Sequence, residues 1–215
     1  MVNLVGSLSV LMLLCALSLV ALRRYNSSIV AVSLQSLLLA VATALVAHAM
    51  GNREGYLAAI LTLAVKAVAI PFILHWVKGR TDSGGGPPLK ELSPGWALLV
   101  AGLVVILAYQ SASPVTALGG VLIRASFPQA MSILLLGLFI LIVRRSALLQ
   151  IIGLLVMENG LYLSALTATG GMPVVVEMGM FLDLLVGVLI MGVFSSRIVG
   201  AFRSLDTDRL HKLKG

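Results

Sequence analysis

The chain has 215 residues, of which 60% are hydrophobic and 11% are charged, and its mean hydropathy is +1.09. This much apolar side chain cannot be hidden from water in a domain of this size, so lipid must be its solvent. The formal net charge of +7 does not indicate nucleic acid binding, because the basic residues lie in short loops between apolar runs. The single cysteine, Cys15, excludes a disulfide framework and a cysteine-ligated iron–sulfur cluster within this chain.

Apolar runs of about 20 residues, the length that crosses a bilayer as a helix, predict an all-α polytopic bundle of about seven spans. The first run lacks a basic start and a small-residue cleavage site, which favours a retained helix over a signal peptide. The predicted spans are Val2–Leu22, Ser28–Met50, Gly55–Val77, Gly95–Gln110, Phe127–Val143, Ala147–Thr167 and Pro173–Phe194.

The distribution of Lys and Arg predicts the orientation of the bundle. Twelve of the 15 Lys and Arg residues lie on one side of the predicted bundle. The loops on the other side contain only Arg53 and Arg124, and Lys66 lies inside a span. By the positive-inside rule, the N-terminus is therefore expected outside and the C-terminus in the cytoplasm. The cytoplasmic side receives Arg23, Arg24, Lys78, Arg80, Lys90, Arg144, Arg145, Arg197, Arg203, Arg209, Lys212 and Lys214.

The predicted spans divide the chain into segments. A cytoplasmic linker at 78–94 contains Gly84-Gly85-Gly86-Pro87-Pro88, a composition typical of mobile connections. A second piece, Ser111–Ser126, contains Pro114 and Gly119-Gly120 and is expected to be non-helical. The predicted organisation is a three-helix segment at 1–77, the linker, two helices at 95–143, two helices at 144–199 and a basic cytoplasmic tail at 200–215.

Glu158 is the first of three ionisable residues expected near the middle of a span. It lies about eleven residues into its span, roughly 16 Å deep by helical rise. Asn159 beside it and Tyr162 one turn later can both hydrogen-bond a carboxyl group, while Gly153 and Gly160 allow a neighbouring backbone to approach. Such a residue indicates either a proton relay or a structural hydrogen bond between helices.

Asp183 lies between Gly179 and Gly187 at successive steps of four residues, so the three share one helical stripe. Small residues on both sides of an acid let a partner helix close around it, which removes lipid and leaves space for water. The interpretation is again a proton relay or helix packing alone. Glu177, nearer the outer end of the span, is expected at the interface or in support of the relay.

Lys66 lies about eleven residues from either end of the third span, and Pro71 follows one turn later. Because proline cannot donate to the carbonyl of Ala67, a kink is expected beside the lysine. Lys66 is interpreted either as a proton carrier or as one partner of a fixed ion pair with Glu158 or Asp183.

Two histidines, His48 and His75, lie near the ends of their spans and are interpreted as interfacial residues or relay support. His, Cys, Asp and Glu nowhere occur together at metal-ligand spacing, so no metal site is predicted.

The last third of the chain carries a family resemblance. Arg144-Arg145-Ser146, an apolar run to Gly153-Leu154, then Met157 and Asn159, and finally Asp183 with Gly187 resemble the NuoK subunit of respiratory complex I and the Mrp antiporter C subunit. With four preceding helices, the whole chain is most similar to the HyfE-type component E of energy-converting membrane-bound nickel-iron hydrogenases and formate hydrogenlyases. One departure is that the first NuoK acid directly follows the Gly-Leu pair, where this chain has Leu155, and an acid appears one turn later at Glu158.

The resemblance implies a non-catalytic subunit in the cytoplasmic membrane of a prokaryotic cell. Its partners would be antiporter-like and quinone-site-type membrane subunits, peripheral hydrogenase-like subunits and lipid. The nickel-iron centre and iron–sulfur clusters would lie in those partners, and this chain would hold no cofactor. In NuoK-like proteins two buried acids on adjacent helices form part of the proton path, and Asp183 matches the position of the second. Glu158 and Lys66 join the predicted relay because of their mid-span positions, not because of the resemblance.

Two other classes of function stay open. A stand-alone secondary transporter would normally show inverted repeats and broken helices, and no repeat is evident. A purely structural membrane spacer would use the same buried residues for packing. An intramembrane enzyme is disfavoured, because its polar groups would cluster at one interface.

Overall fold

The computed structural model describes residues 1–22, 24–81 and 93–169, with two further helical positions at 187 and 192. These ranges contain helices and no strand. The helices are α1 (Val2–Ala21), α2 (Tyr25–Met50), α3 (Arg53–Leu61), a π-helical segment (Thr62–Ala69), α4 (Ile70–Thr81), α5 (Pro94–Leu118), α6 (Val121–Val143) and α7 (Ala147–Thr169).

Among the described residues, six helices are long and apolar enough to cross a membrane, with α3, the π segment and most of α4 counted as one. The predicted all-α, multi-span architecture is confirmed, and six spans are close to the expected seven. The seventh predicted span, Pro173–Phe194, lies outside the described ranges except for Gly187 and Gly192. The predicted tail at 200–215 lies wholly outside the described ranges.

The third span departs from a regular α-helix at Lys66. From Thr62 to Ala69 the backbone is π-helical, and the N–H of Ile70 donates to the carbonyl of Val65, five residues earlier. Pro71 follows directly and has no N–H to continue an α-helical ladder. The expected irregularity beside the lysine is therefore a wide π turn upstream of the proline. Such segments are uncommon and often occur at functional sites.

The expectation of a non-helical segment at Ser111–Ser126 is wrong. Helix α5 continues through Pro114 to Leu118, and α6 begins at Val121, so only Gly119-Gly120 separates them. Arg124 supplies the physical reason. Its Nε donates to the carbonyl oxygens of Thr116 and Gly119 at 3.2 and 3.1 Å, and its Nη2 donates to Ala117 at 3.4 Å. These bonds satisfy carbonyls at the end of α5 that have no intrahelical donor.

The predicted linker at 78–94 also begins later than expected. Helix α4 runs on to Thr81, because the stretch after Val77 contains no proline and a single Gly79. The glycine- and proline-rich part of this segment falls outside the described ranges. Helix α5 then starts with Pro94 in its first turn, where a proline is tolerated.

Helices α6 and α7 pack together through glycines. A Cβ placed on Gly137 or Gly160 would collide with the backbone nitrogen of Met157 or Leu134, and one on Gly153 would lie 2.7 Å from that of Leu141. Only glycine lets two backbones approach this closely. The α6–α7 pair is thereby closely packed, and α1 packs against α6 while α2 packs against α7.

Arg144, at the turn between α6 and α7, is buried and holds the end of α1. Its Nη2 donates to the carbonyl oxygens of Leu19, Val20 and Leu22 at 3.3, 2.9 and 2.6 Å. These carbonyls lie in the last turn of α1 or just beyond it and carry partial negative charge. A residue that the sequence assigns to a solvated loop therefore caps a helix.

Candidate functional site

Lys66 lies in the π segment, and its side chain is almost completely buried, with 1% exposed. Its Nζ lies 2.6 Å from Oε1 of Glu158 on α7. The two residues predicted near mid-span on different helices thus form an ion pair. An unpaired ammonium group at this depth is costly, so the partner on α7 makes the burial of Lys66 possible.

Glu158 is also mostly buried, with 12% of its side chain exposed. Oε1 faces the ammonium group of Lys66, and Oε2 has no hydrogen-bond donor among the described residues. The carboxyl group therefore keeps one oxygen that can accept a proton or a hydrogen bond from elsewhere. Thr62, one turn before Lys66 and fully buried, likewise has a hydroxyl with no partner in the described part of the chain.

Asn159 connects this ion pair to α2. Lys66 Nζ donates to Asn159 Oδ1 at 3.1 Å, and Asn159 Nδ2 donates to Gln35 Oε1 and to Ser36 Oγ, both at 3.2 Å. Gln35 Nε2 in turn donates to the backbone oxygen of Met12 on α1 at 3.2 Å. A continuous polar cluster therefore joins α1, α2, the π segment and α7.

Tyr162 completes the surroundings of the lysine. Lys66 Nζ lies 5.5 Å from the centre of the Tyr162 ring, a distance typical of a cation–π contact. The sequence suggested that Asn159 and Tyr162 would bond a carboxyl group. In the structure the amide oxygen of Asn159 accepts from the ammonium group of Lys66, and the ring of Tyr162 lies beside the same group.

The two histidines lie apart from this cluster. His48 Nδ1 is 2.9 Å from the hydroxyl of Tyr56, and His75 Nδ1 is 3.3 Å from the carbonyl oxygen of Pro71. Both histidines are exposed; His48 lies in the last turn of α2, whereas His75 lies in the middle of α4. The structure brings neither histidine to Lys66 or Glu158, and their position at the membrane interface stays a prediction.

Three predicted positions, Asp183, Glu177 and Gly179, lie outside the described ranges. Gly187 is described as helical, and no atom of the described chain lies within 4 Å of a Cβ built on it. Across 1–22, 24–81 and 93–169, no three His, Cys, Asp or Glu residues form a group that could hold a metal ion.

Gln35 and Ser36 are the site residues that sequence reasoning missed. Both are buried, at 0% and 3% exposure, in the middle of the second span. A usable signal was present, since an amide in the centre of an apolar helix must find hydrogen-bond partners in another helix. Without a charge, Gln35 did not stand out from the serines and threonines around it.

The chain is similar to curated proteins over most of its length. It is 31% identical over 156 residues to the uncharacterized protein Rv0085 of Mycobacterium tuberculosis, covering 72% of this chain and 70% of that protein. The chain belongs to the same family as this mycobacterial protein.

A second similarity extends over nearly the whole chain. The hydrogenase-4 component E of Escherichia coli K12 is 26% identical over 211 residues, covering 98% of this chain and 97% of that protein, and the Shigella flexneri component E gives the same values. No protein-family model matches the chain, and no solved structure matches it significantly. The Rv0085-family chain is thus a multi-span membrane protein with a buried polar centre and a hydrogenase-component relative.

Proposed function

We propose that this chain is a non-catalytic membrane subunit of a hydrogenase-type, redox-driven complex, in which Glu158 and Lys66, together with Asp183, take part in proton translocation. The near full-length similarity to hydrogenase-4 component E supports the assignment to such a complex. The proposed location of the chain is the cytoplasmic membrane of a prokaryotic cell. The Arg and Lys distribution favours an outside N-terminus and a cytoplasmic C-terminus.

The observation that carries the proposal is the 2.6 Å contact between Lys66 Nζ and Glu158 Oε1 inside the membrane-spanning bundle. Across this contact a proton can move directly: an Nζ–H bond breaks, an Oε1–H bond forms, and the charged pair becomes a neutral amine and carboxylic acid. No other atom has to move far. Ionisable residues inside membrane spans commonly mark such proton paths.

The proposed partners follow from the same assignment. Antiporter-like and quinone-site-type membrane subunits would continue the proton path, and peripheral hydrogenase-like subunits would hold the nickel-iron centre and iron–sulfur clusters. One cysteine cannot ligate such a cluster, so this chain would contribute no redox group. Lipid covers its apolar outer faces.

The test replaces Glu158 by Gln in membranes of a cell that makes the complex. We expect hydrogen oxidation with an artificial electron acceptor to continue, while redox-driven proton uptake into inverted vesicles falls at least tenfold, because the amide cannot carry the proton. Glu54→Gln is the matched control, since Glu54 is exposed at the first turn of α3. It should leave both activities at the parent level.

Three results would contradict the proposal. Unchanged proton uptake in Glu158→Gln would exclude this carboxyl group from the path. Glu158→Gln leaves the charge of Lys66 uncompensated, so if this variant is lost from the membrane the test moves to Lys66→Met/Glu158→Leu. In that double variant, normal proton uptake would exclude the pair from the path, and loss of the complex would indicate a structural spacer. A chain that purifies alone from native membranes would instead favour a stand-alone transporter.

A further inference from the structure

We infer that Gln35 is a positioning residue, which holds the ammonium group of Lys66 against Glu158 through a chain of side-chain amides with a fixed hydrogen-bond direction. The geometric part of the inference stands on the contacts alone. Its consequence for proton movement rests on the proposed function. Of the sequence-predicted relay and relay-support residues only His48 lies on α2, and it is not part of this cluster.

The direction of the chain is fixed by its two ends. The backbone oxygen of Met12 can only accept, so Gln35 must turn its NH₂ group toward it and its Oε1 away. Gln35 Oε1 then requires a donor, which is the NH₂ group of Asn159. Asn159 is thereby left with its oxygen facing Lys66, whose ammonium group can only donate.

This polarity explains why an amide chain suits a lysine that exchanges a proton. An ammonium group offers three N–H bonds, and a neutral amine offers two N–H bonds and one lone pair. In both forms one N–H can remain on Asn159 Oδ1, while the Glu158 side accepts a proton from nitrogen or donates one to it. The nitrogen is thus held in one place through both states.

The second acceptor of Asn159 strengthens the arrangement. Asn159 Nδ2 donates to Ser36 Oγ as well as to Gln35, so the amide is gripped by two adjacent residues of α2. Lysine side chains have four rotatable bonds, and an unanchored one samples many positions. Without these two hydrogen bonds, Lys66 would sample several side-chain conformations, and the one that brings Nζ close to Oε1 would no longer be the resting one.

The experiment compares Gln35→Met with Gln150→Met in the full-length chain within its native complex. Methionine has about the volume of glutamine, but it cannot donate to the backbone oxygen of Met12 and offers Asn159 only a weakly accepting sulfur. Gln150 is the matched control, because its Nε2 also donates to a backbone oxygen, that of Arg144, but outside the cluster. Ser36→Ala is a milder variant for the case in which Gln35→Met does not accumulate.

Two readouts are used. In infrared difference spectra of the chain labelled with ¹³C-glutamate, the Glu158 band is the one that is missing in Glu158→Gln. This band should shift in Gln35→Met and, by less, in Ser36→Ala, but not in Gln150→Met. Redox-driven proton uptake should fall about tenfold in Gln35→Met and about twofold in Ser36→Ala, in line with losing one or part of one hydrogen bond.

The outcomes separate the two proposals. The positioning role is overturned if folded Gln35→Met keeps the parent Glu158 band and the parent proton uptake. If Gln35→Met does not accumulate, the same result in folded Ser36→Ala overturns it. Gln35 and Ser36 would then only hold helices together. If the band shifts while Glu158→Gln still pumps normally, the positioning role stands and the proposed function fails. A purely structural role predicts lower abundance with an unmoved band in the folded fraction.

Discussion

At the scale of single residues, Lys66 and Glu158 depend on each other. Both lie in a region where lipid and apolar side chains replace water, and each neutralises the charge of the other. Removing one partner of a buried ion pair leaves an uncompensated charge, whereas replacing both with apolar residues is often tolerated.

We therefore expect Lys66→Met alone to destabilise the chain by about 3 to 5 kcal/mol, and the double variant Lys66→Met/Glu158→Leu to recover most of that loss. Chain abundance in the membrane and thermal unfolding in detergent measure both. If the single and double variants are equally unstable, the pair is not the reason why the lysine can be buried.

Sequence alone identified Lys66 and Glu158, because a charge in the middle of an apolar run is conspicuous. It left open whether the lysine pairs with Glu158 or Asp183, since nothing in the order of residues says which helices are neighbours. Gln35 and Ser36 carry no charge and did not stand out, although an amide in the middle of an apolar span indicates a partner in another helix. Which helix supplies that partner appears only when α2 is seen to lie beside α7.

At the scale of helices, glycines on α6 and α7 control how closely these two helices approach. The backbone nitrogen of Leu134 occupies the place where a side chain on Gly160 would begin. Backbone atoms cannot yield as a flexible side chain can. Even one methyl group must therefore push the helices apart and move Asn159, the residue next to Gly160.

We expect Gly160→Ala to lower the free energy of unfolding by about 1 to 3 kcal/mol, the usual cost of overpacking. Gly102→Ala on α5 is the control, because no described atom lies within 4 Å of its Cβ position. This control should be neutral or stabilising by up to about 1 kcal/mol, since alanine favours helix. Similar losses in both variants would contradict the close α6–α7 contact.

The described helices were largely predictable, and their ends were not. Hydropathy and length locate each of the six spans, because a backbone that faces lipid must form its N–H···O=C hydrogen bonds within its own helix. The stretch around Pro114 and Gly119-Gly120 was misjudged, because local composition suggested a loop. The helix end is instead held by Arg124 from the following helix, an interaction that composition does not reveal.

At the scale of the whole molecule, the ends of the helices gather into two layers. Val2, Met50 and Leu122 line one apolar hollow, while Val20, Pro94 and Val143, together with Arg144, line a second, partly polar one. The first set belongs to the predicted outer side and the second to the predicted cytoplasmic side. The orientation of these layers in the membrane stays a prediction.

Cysteine labelling tests that orientation. In a Cys15→Ala background, a membrane-impermeant maleimide should label Glu54→Cys in intact cells and Ser93→Cys only after permeabilisation. Both positions are exposed and lie in different layers. The reverse pattern would place the N-terminus in the cytoplasm and contradict the positive-inside argument.

The opposite signs of Lys66 and Glu158 also determine how the bundle responds to membrane voltage. Moving one elementary charge across a membrane with a potential of 100 mV changes the free energy by about 2.3 kcal/mol. The field exerts no net force on a pair whose charges cancel. At rest, the electric field can only tilt this small dipole. Under the proposed function, a proton that enters or leaves the pair would expose a full charge to the field, so each arrival or departure would be an electrically driven step.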